Sequence, residues 1–504
     1  AYDGRGFLTS ETHPEIGPAG NGATTNAYDA AGNVTQRRIA SGAAFDLDYA
    51  YDRAGRLTRL DGAEGVLKEF FYGRANAGQN LQRGKLVAQK RYNYVDPLSP
   101  LATITAAATV IVADSYRHTG RDGRVSEKTT SVTLGTGSSA WSMGWTYDAL
   151  GNVDTLSYPR CEGWPCLDED PSRVVSHTYA EGYLRSMPGY VNRIDYQLGG
   201  SMIGRVEHSN GVSWTQPFDT GARLPRPRVI ATSAGFTTGT YDYDGASNIT
   251  VIGSQDFQDA RLSRLVSGQV PVGAGEQTQS ASFDAYGNLT TLTTNGQPRA
   301  LPASTATNRL TAGTYDAAGN LTSITLSGEA LQYGYDGLSM QETFQSQTLA
   351  RLSLYDAGDE RIWSWDCPLD SCGPDTALER FTIRGLGGEI LRTYEGAGLQ
   401  ERQWVEDFVY RDGQLLASVR PNGGGEAVHH IHPDHLGSTR QVTNAAGVEV
   451  SRHAYFPFGE EATATAGDDV PLKFTGHERE ANGSQVAQLD YMHARHCSPI
   501  LGRF

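Results

Sequence analysis

Hydrophobic and polar residues alternate along this chain in short runs, and the same turn signal cuts one run from the next. No sustained 3.6-residue or heptad pattern is present, which predicts strands rather than long helices. The signal is Tyr-Asp-x-x-Gly-Asn-aliphatic-Thr. It stands at Tyr28–Thr35 and Tyr315–Thr322, with close copies starting at Tyr147 and Phe283 and looser ones at Tyr2, Tyr51, Tyr243, Tyr335 and Tyr355. Each residue has a mechanical role. The aromatic ring covers a neighbour at a strand end, leaving its hydroxyl to reach water. Asp accepts from the backbone two residues on. Gly, and to a lesser degree Asn, tolerates positive φ, and the aliphatic-Thr pair restarts a period-2 strand. Ser247 takes the Gly position in one copy, which predicts a different or strained turn there. The spacing becomes regular late in the chain, where Tyr315, Tyr335 and Tyr355 are 20 residues apart, room for two strands and two turns. Between Tyr51 and Tyr147 only degraded copies occur, such as the one starting at Tyr116. One carboxylate per copy falls short of the oxygen cage that calcium needs.

Composition sharpens this picture. Glycine makes up 59 of 504 residues, well above the usual ~7 per cent, and tandem arrays exceed ordinary domain lengths. The net charge of −15, with no basic run, argues against nucleic acid and against attachment to anionic membranes. The stretch from Leu101 to Ala113 is too short to span a bilayer. The chain opens inside a repeat and without Met, so it reads as a fragment or processed piece, and the missing leader says nothing about secretion. Four of five cysteines form two C-x4-C pairs, Cys161 with Cys166 and Cys367 with Cys372. Two such pairs could hold zinc, but they are about 200 residues apart, and the Pro and Gly inside them suit small closed loops. Local disulfides are the favoured expectation, and they imply an oxidising compartment. Cys497 is left over.

After Gly423-Gly424-Gly425 the character changes. The series His432-x-Asp434-His435-Leu436-Gly437-Ser438, Tyr455-x-Pro457-Phe458-Gly459-Glu460, Phe474-Thr475-Gly476-x-Glu478-Arg479 and Leu501-Gly502-Arg503-Phe504 follows in order. With the repeats, it resembles an RHS/YD-repeat protein and its RHS core-associated region. The resemblance implies an all-β fold: a spiralling antiparallel sheet that forms a partial or complete hollow shell. On this reading residues 1–425 are the repeat shell and residues 426–504 an inward-turned plug. A spiral would bury strand edges against the next coil. In bacterial members the shell encloses a toxin segment soon after LGRF; teneurin-type relatives use it for adhesion.

Three chemistries come into question. The cluster His429, His430, His432, Asp434 and His435 offers metal-type ligands, but neighbours on a strand face opposite ways. The resemblance treats His432, Asp434, His435 and Gly437 as packing residues, so no metal is expected. Toxin-carrying members resemble self-cleaving aspartyl proteases here, with an Arg-Asp pair after FTGxE and a second Asp before the Pro preceding LGR. In this chain Arg479 matches, but Glu480 and Ser498 occupy the Asp positions. A shared-proton mechanism needs two carboxylates, so the resemblance implies a degenerate protease with Arg479 as an ion-pairing residue. A Cys497–His496 or Cys497–His493 dyad lacks an oxyanion hole. The expectation is a non-enzymatic scaffold without cofactor, secreted or on the cell surface. Its partner would be a toxin or effector segment of the same polypeptide after Phe504, with further repeats or another chain completing the shell. The alternative is an adhesive module without cargo.

Overall fold

The computed structural model describes the chain except residues 18–19, 41, 95–109, 135–136, 163–170, 201, 222–223, 260–263, 274, 373–375, 398–401, 464–469, 481, 485 and 504. It is all-β, with four short 3-10 turns as the helical elements among the described residues. Twelve strands from Ser10–His13 to Val174–Ser176 form a first sheet, and eleven from Val191–Gln197 to Gln297–Ala300 a second. Thirteen from Gly313–Tyr315 to Glu449–Arg452 form a third. A last sheet joins Glu478–Glu480, Leu489–Met492 and Arg495–Cys497. Strands pair antiparallel in sequence order, as a hairpin chain should.

The repeat phrase folds as its chemistry dictates. Gly32, Gly151, Gly287 and Gly319 have φ of 90°, 84°, 93° and 92°. Asp29 Oδ1 accepts from Asn33 N at 2.9 Å while Oδ2 accepts from Asn33 Nδ2 at 2.9 Å. Ser247 keeps the same backbone closure, with Asp244 N donating to Asn248 O at 3.0 Å, so a non-glycine residue sits at φ 69°. The turn type is therefore unchanged and the backbone strained. Several of the Tyr hydroxyls bond backbone carbonyls of the preceding repeat instead of reaching water. Tyr51 donates to Val34 O at 2.9 Å, Tyr147 to Val125 O at 2.6 Å and Tyr243 to Pro227 O at 2.6 Å. Val34 and Val125 directly follow the preceding turn and Pro227 ends the strand Leu224–Pro227, so the ring locks one repeat onto the one before it. The degraded copy is offset: its turn closes between Gly120 and Arg124, not from Tyr116.

Sequence separation between contacting residues describes the coil. Arg309 meets the Glu15 carbonyl across 294 residues, Lys68 meets Asp359 across 291 and Asn93 the Tyr355 carbonyl across 262. Tyr158 meets the Phe408 carbonyl across 250, Trp214 the Pro433 carbonyl across 219 and Gln279 Glu460 across 181. Each winding uses less chain than the last, so the spiral tapers; its sheets do not close. Among the described residues the ladders run along the ribbon and join strands near in sequence. Successive coils therefore meet through side chains and strand ends, and the expectation that coils bury strand edges is corrected: the strands lie across the ribbon, so its ladder cannot reach the next winding.

Packing shows which sheet lies inside. The first-sheet strand Gly137–Tyr147 alternates buried with more open positions, whereas Leu349–Tyr355 is buried on both faces. Leu352 and Leu354 join a core with Val110, Val112 and Trp141 of the first sheet. On the other face Tyr355 clusters with Tyr491 near the C-terminus. Trp141, fully buried, lies 5.0 Å from Phe381 and 6.1 Å from Tyr394 between ring centroids, and such pairs add ~0.5–1.5 kcal/mol each to area burial. The division at residue 425 is not a break in the sheet. Gly423 and Gly424 have positive φ in a tight hairpin between Gln414–Asn422 and Gly425–Pro433, with Asn422 opposite Gly425. The third sheet runs on to Arg452, and the compact terminal segment begins after it.

Candidate functional site

The terminal segment packs a charged layer onto the inner face of the third sheet. Arg479 and Glu480 are neighbours on the strand Glu478–Glu480, so they point to opposite faces. Arg479 makes a bidentate pair with Asp490, Nε to Oδ1 at 2.7 Å and Nη2 to Oδ2 at 2.8 Å, and donates to Gly459 O at 2.7 Å. Glu480 faces the third sheet. Arg361 contacts its Oε1, Arg351 Nη1 lies 2.5 Å from its Oε2, and His496 Nε2 lies 3.4 Å from Oε1. Burial raises the Glu480 pKa, but Arg351 and Arg361 outweigh it and hold the carboxyl well below its ordinary value. Glu478 pairs with Arg361 at 3.1 Å, and Glu360 accepts from His493 Nδ1 at 2.7 Å.

Ser498 directly follows the strand Arg495–Cys497, in a sheet where Cys497 stands opposite Asp490 and Glu480 opposite Leu489. Its amide donates to Arg503 O at 2.8 Å, and its carbonyl accepts from Leu501 N and Gly502 N, so the residues around LGRF form a closed turn. It lines a cavity of about 390 Å³ together with His496, Arg503, Asn288 and Asn308. Arg503 anchors this turn to the repeats through Asn308 O at 3.1 Å and Asn288 Oδ1 at 3.2 Å. A carboxylate held ionised by two guanidiniums is a poor member of a proton-sharing pair. Burial pushes the Cys497 thiol up to about 11, which leaves it protonated near neutrality and a weak nucleophile.

The motif His432-x-Asp434-His435-Leu436-Gly437 is another copy of the repeat turn. Asp434 N donates to Ser438 O at 3.0 Å, Asp434 Oδ1 accepts from Ser438 N at 3.0 Å, and Gly437 has φ 84°. The same closure recurs from Phe456 to Glu460 and from Lys473 to His477 without any Asp. His435 Nδ1 meets the Tyr241 hydroxyl at 3.0 Å. His430 and His432 share a face and meet His208. Among the described residues no group of three or more His, Cys, Asp or Glu is placed to hold a metal ion. Cys367 and Cys372 are joined by a disulfide with Cα atoms 5.1 Å apart, and Cys497 is free. Cys161 is disulfide-bonded as well; its expected partner Cys166 lies outside the described residues.

Comparison with known proteins agrees with the turn chemistry and with the coil. Residues 21–67 match the RHS repeat family. The crystal structure of TcdB2-TccC3-TEV superposes with a TM-score of 0.73 at 16% identity, covering 99% of this chain and 26% of that one. The TcdB2-TccC3 structure gives 0.65 at 15% identity, covering 100% and 30%. The chain carries an RHS repeat. A curated relative, double-stranded DNA deaminase toxin A of Burkholderia cenocepacia (strain H111), is 22% identical over 405 residues, covering 72% of this chain and 27% of that protein. The chain thus spans about a quarter of the length of these relatives.

Two features of the chain escaped the sequence reading. The arginines Arg351, Arg361 and Arg384 that meet the terminal acids come from the third sheet, most of a hundred residues or more away, and nothing local marks them. The second feature carried a signal. Arg replaces Asn in some turns, as in Gly55-Arg56-Leu57, where Nε donates to Asp52 Oδ2 at 2.8 Å. Such arginines also lie over the aromatic ring of another repeat: Arg56 over Tyr72 at 4.2 Å and Arg226 over Tyr243 at 3.8 Å.

Proposed function

We propose that this chain is the tapered end of a wall that encloses and shields a toxin or effector segment of the same polypeptide, and that it acts outside the cell that makes it. The observation that carries this reading is the layering. The third sheet is covered on one face by the outer wall and on the other by the terminal segment, so the chain is led inward as it reaches Arg503. The likeness to TcdB2-TccC3 supports a shell, and the deaminase toxin relative supports a cargo. The wall itself does no chemistry in this reading, since Glu480 is occupied by two arginines and Ser498 by its own turn. The test is a fusion that places a protease-sensitive reporter after Phe504, within the longest available form of the polypeptide. Enclosure predicts that added protease spares the reporter until the wall is unfolded by denaturant. Immediate cleavage of the reporter in the folded protein would refute enclosure. Spontaneous cleavage near LGRF, lost in Glu480→Gln, would refute the passive wall.

A further inference from the structure

We propose that the seam between the outer strand Met202–His208 and the inner strand Gly425–Pro433 is an acid-sensitive latch, in which protonation of His208, His430 and His432 loosens the inner sheet from the outer wall. This goes beyond enclosure, because it assigns a condition under which the layers part.

The geometry is specific. His208 belongs to one coil and His430 and His432 to the next. The His208 ring lies 5.1 Å from that of His430 and 4.6 Å from that of His432, both edge-on. The three residues are 1%, 1% and 0% exposed. His432 Nε2 meets Thr443 Oγ1 at 2.9 Å and His430 Nε2 meets Ser209 Oγ at 3.4 Å, while Nδ1 of all three rings has no hydrogen-bond partner among the described residues. The groups acting on them electrostatically are one another and His429, all cations when protonated. The acids on the packed elements are committed elsewhere: Glu207 to Arg205, Glu406 to Arg420, Glu426 to Arg173, Asp434 to Arg440, and Glu449 to Arg452 and Gln441. Proton uptake would therefore bury like charges side by side with no acid to neutralise them. Trp214 to Pro433 O and Tyr241 to His435 complete the seam, the latter through a fourth imidazole that burial also holds below its ordinary value.

The sign follows from linkage. Burial pushes His430 down to about 4 and His432 to about 3, and holds His208 well below its ordinary value. For each, the closed seam has full stability above the exposed value near 6.5 and loses it as pH falls below that value, down to the buried one. At pH 5, freeing either His430 or His432 favours the open state by about 30-fold.

Hydrogen exchange of the full chain, corrected for the pH dependence of intrinsic exchange, tests this. Protection in strands Met202–His208 and Gly425–Pro433 is expected to fall at least tenfold between pH 7.5 and pH 5. Strands around Asp356 are the internal control, since burial beside Asp114 raises that carboxyl and acid should not open them. The variants His430→Gln and His432→Gln should each reduce the acid response by about their own 30-fold share while leaving protection at pH 7.5 near the parent's. The variant His208→Phe provides a second route to the same result should either glutamine variant fold poorly. Seam protection that tracks the control at every pH would overturn the latch, as would an acid response unchanged in the folded variants.

Discussion

The substitution Glu480→Gln separates a structural from a catalytic role for the terminal acids. Glu480 is 4% exposed and touches Arg351, Arg361 and His496. The amide keeps the shape and removes the charge. Losing one member of a buried ion pair costs ~3–5 kcal/mol, mostly because the partner charge is left buried. Here both arginines keep another acid. Asp366 remains on Arg351 through contacts of 2.6 Å, and Glu478 on Arg361 at 3.1 Å. The cost therefore falls near the lower end, about 3 kcal/mol. If it is expressed as opening of the terminal segment, proteolysis there should accelerate roughly 100-fold when opening and closing outpace cutting. Glu395→Gln is the control, because its partner Arg380 is 39% exposed and such pairs contribute little. The pH dependence checks the mechanism. Glu480's pKa is depressed in the folded state, so its contribution is complete above 4.5 and lost as pH falls through the folded value. Parent and variant should thus converge in acid. Limited proteolysis from pH 7 downward reads both effects. A change below about 3-fold at pH 7, or a gap that widens in acid, would refute the reasoning.

Other expectations follow from the turns and cysteines. Gly319→Ala places a methyl group at φ 92° against the Glu15 carbonyl of the neighbouring coil, whereas Gly413→Ala at φ 78° meets open space. Both should lose ~1–2 kcal/mol to backbone conformation, and Gly319→Ala measurably more in denaturant midpoint; equal losses would mean the coils are not in contact there. Non-reducing peptide mapping should find Cys161 joined to Cys166 and Cys367 to Cys372, with Cys497 free and, as a protonated thiol, slow to react with thiol reagents at neutral pH. Four free thiols or stoichiometric zinc would contradict this. A polypeptide extended past Phe504 should keep its intact mass through expression and storage, and Ser498→Asp alone should not start cleavage, because Glu480 stays clamped by its arginines. Self-cleavage of the unsubstituted chain would overturn that expectation.

What could be read from the sequence was what local chemistry decides. Tyr28-Asp29-x-x-Gly32-Asn33 contains its own instructions, since the Asp side chain, the glycine φ and the Asn amide all act within five residues. The change of sequence character after Gly423-Gly424-Gly425 has no counterpart in the sheet, where Gly423 and Gly424 form a two-residue hairpin between paired strands. At His432–Ser438 the turn was hidden because Pro433 stands where the tyrosine is expected, although the Asp and Gly keep their spacing. The charged layer was illegible for a different reason. Glu480 finds its arginines only because the coil tapers by the amount that brings residues 351 and 361 over the terminal strand. That taper is set by strand twist and by how many residues each winding consumes, a sum over dozens of hairpins. It has no signature in any single repeat. The histidine seam has the same origin: His208 and His432 lie 4.6 Å apart between ring centroids, and only the winding length brings them together. Shortening one hairpin between them by two residues would keep every turn signal intact. It would also shift the register of the coils, and so break both the seam and the arginine layer at once.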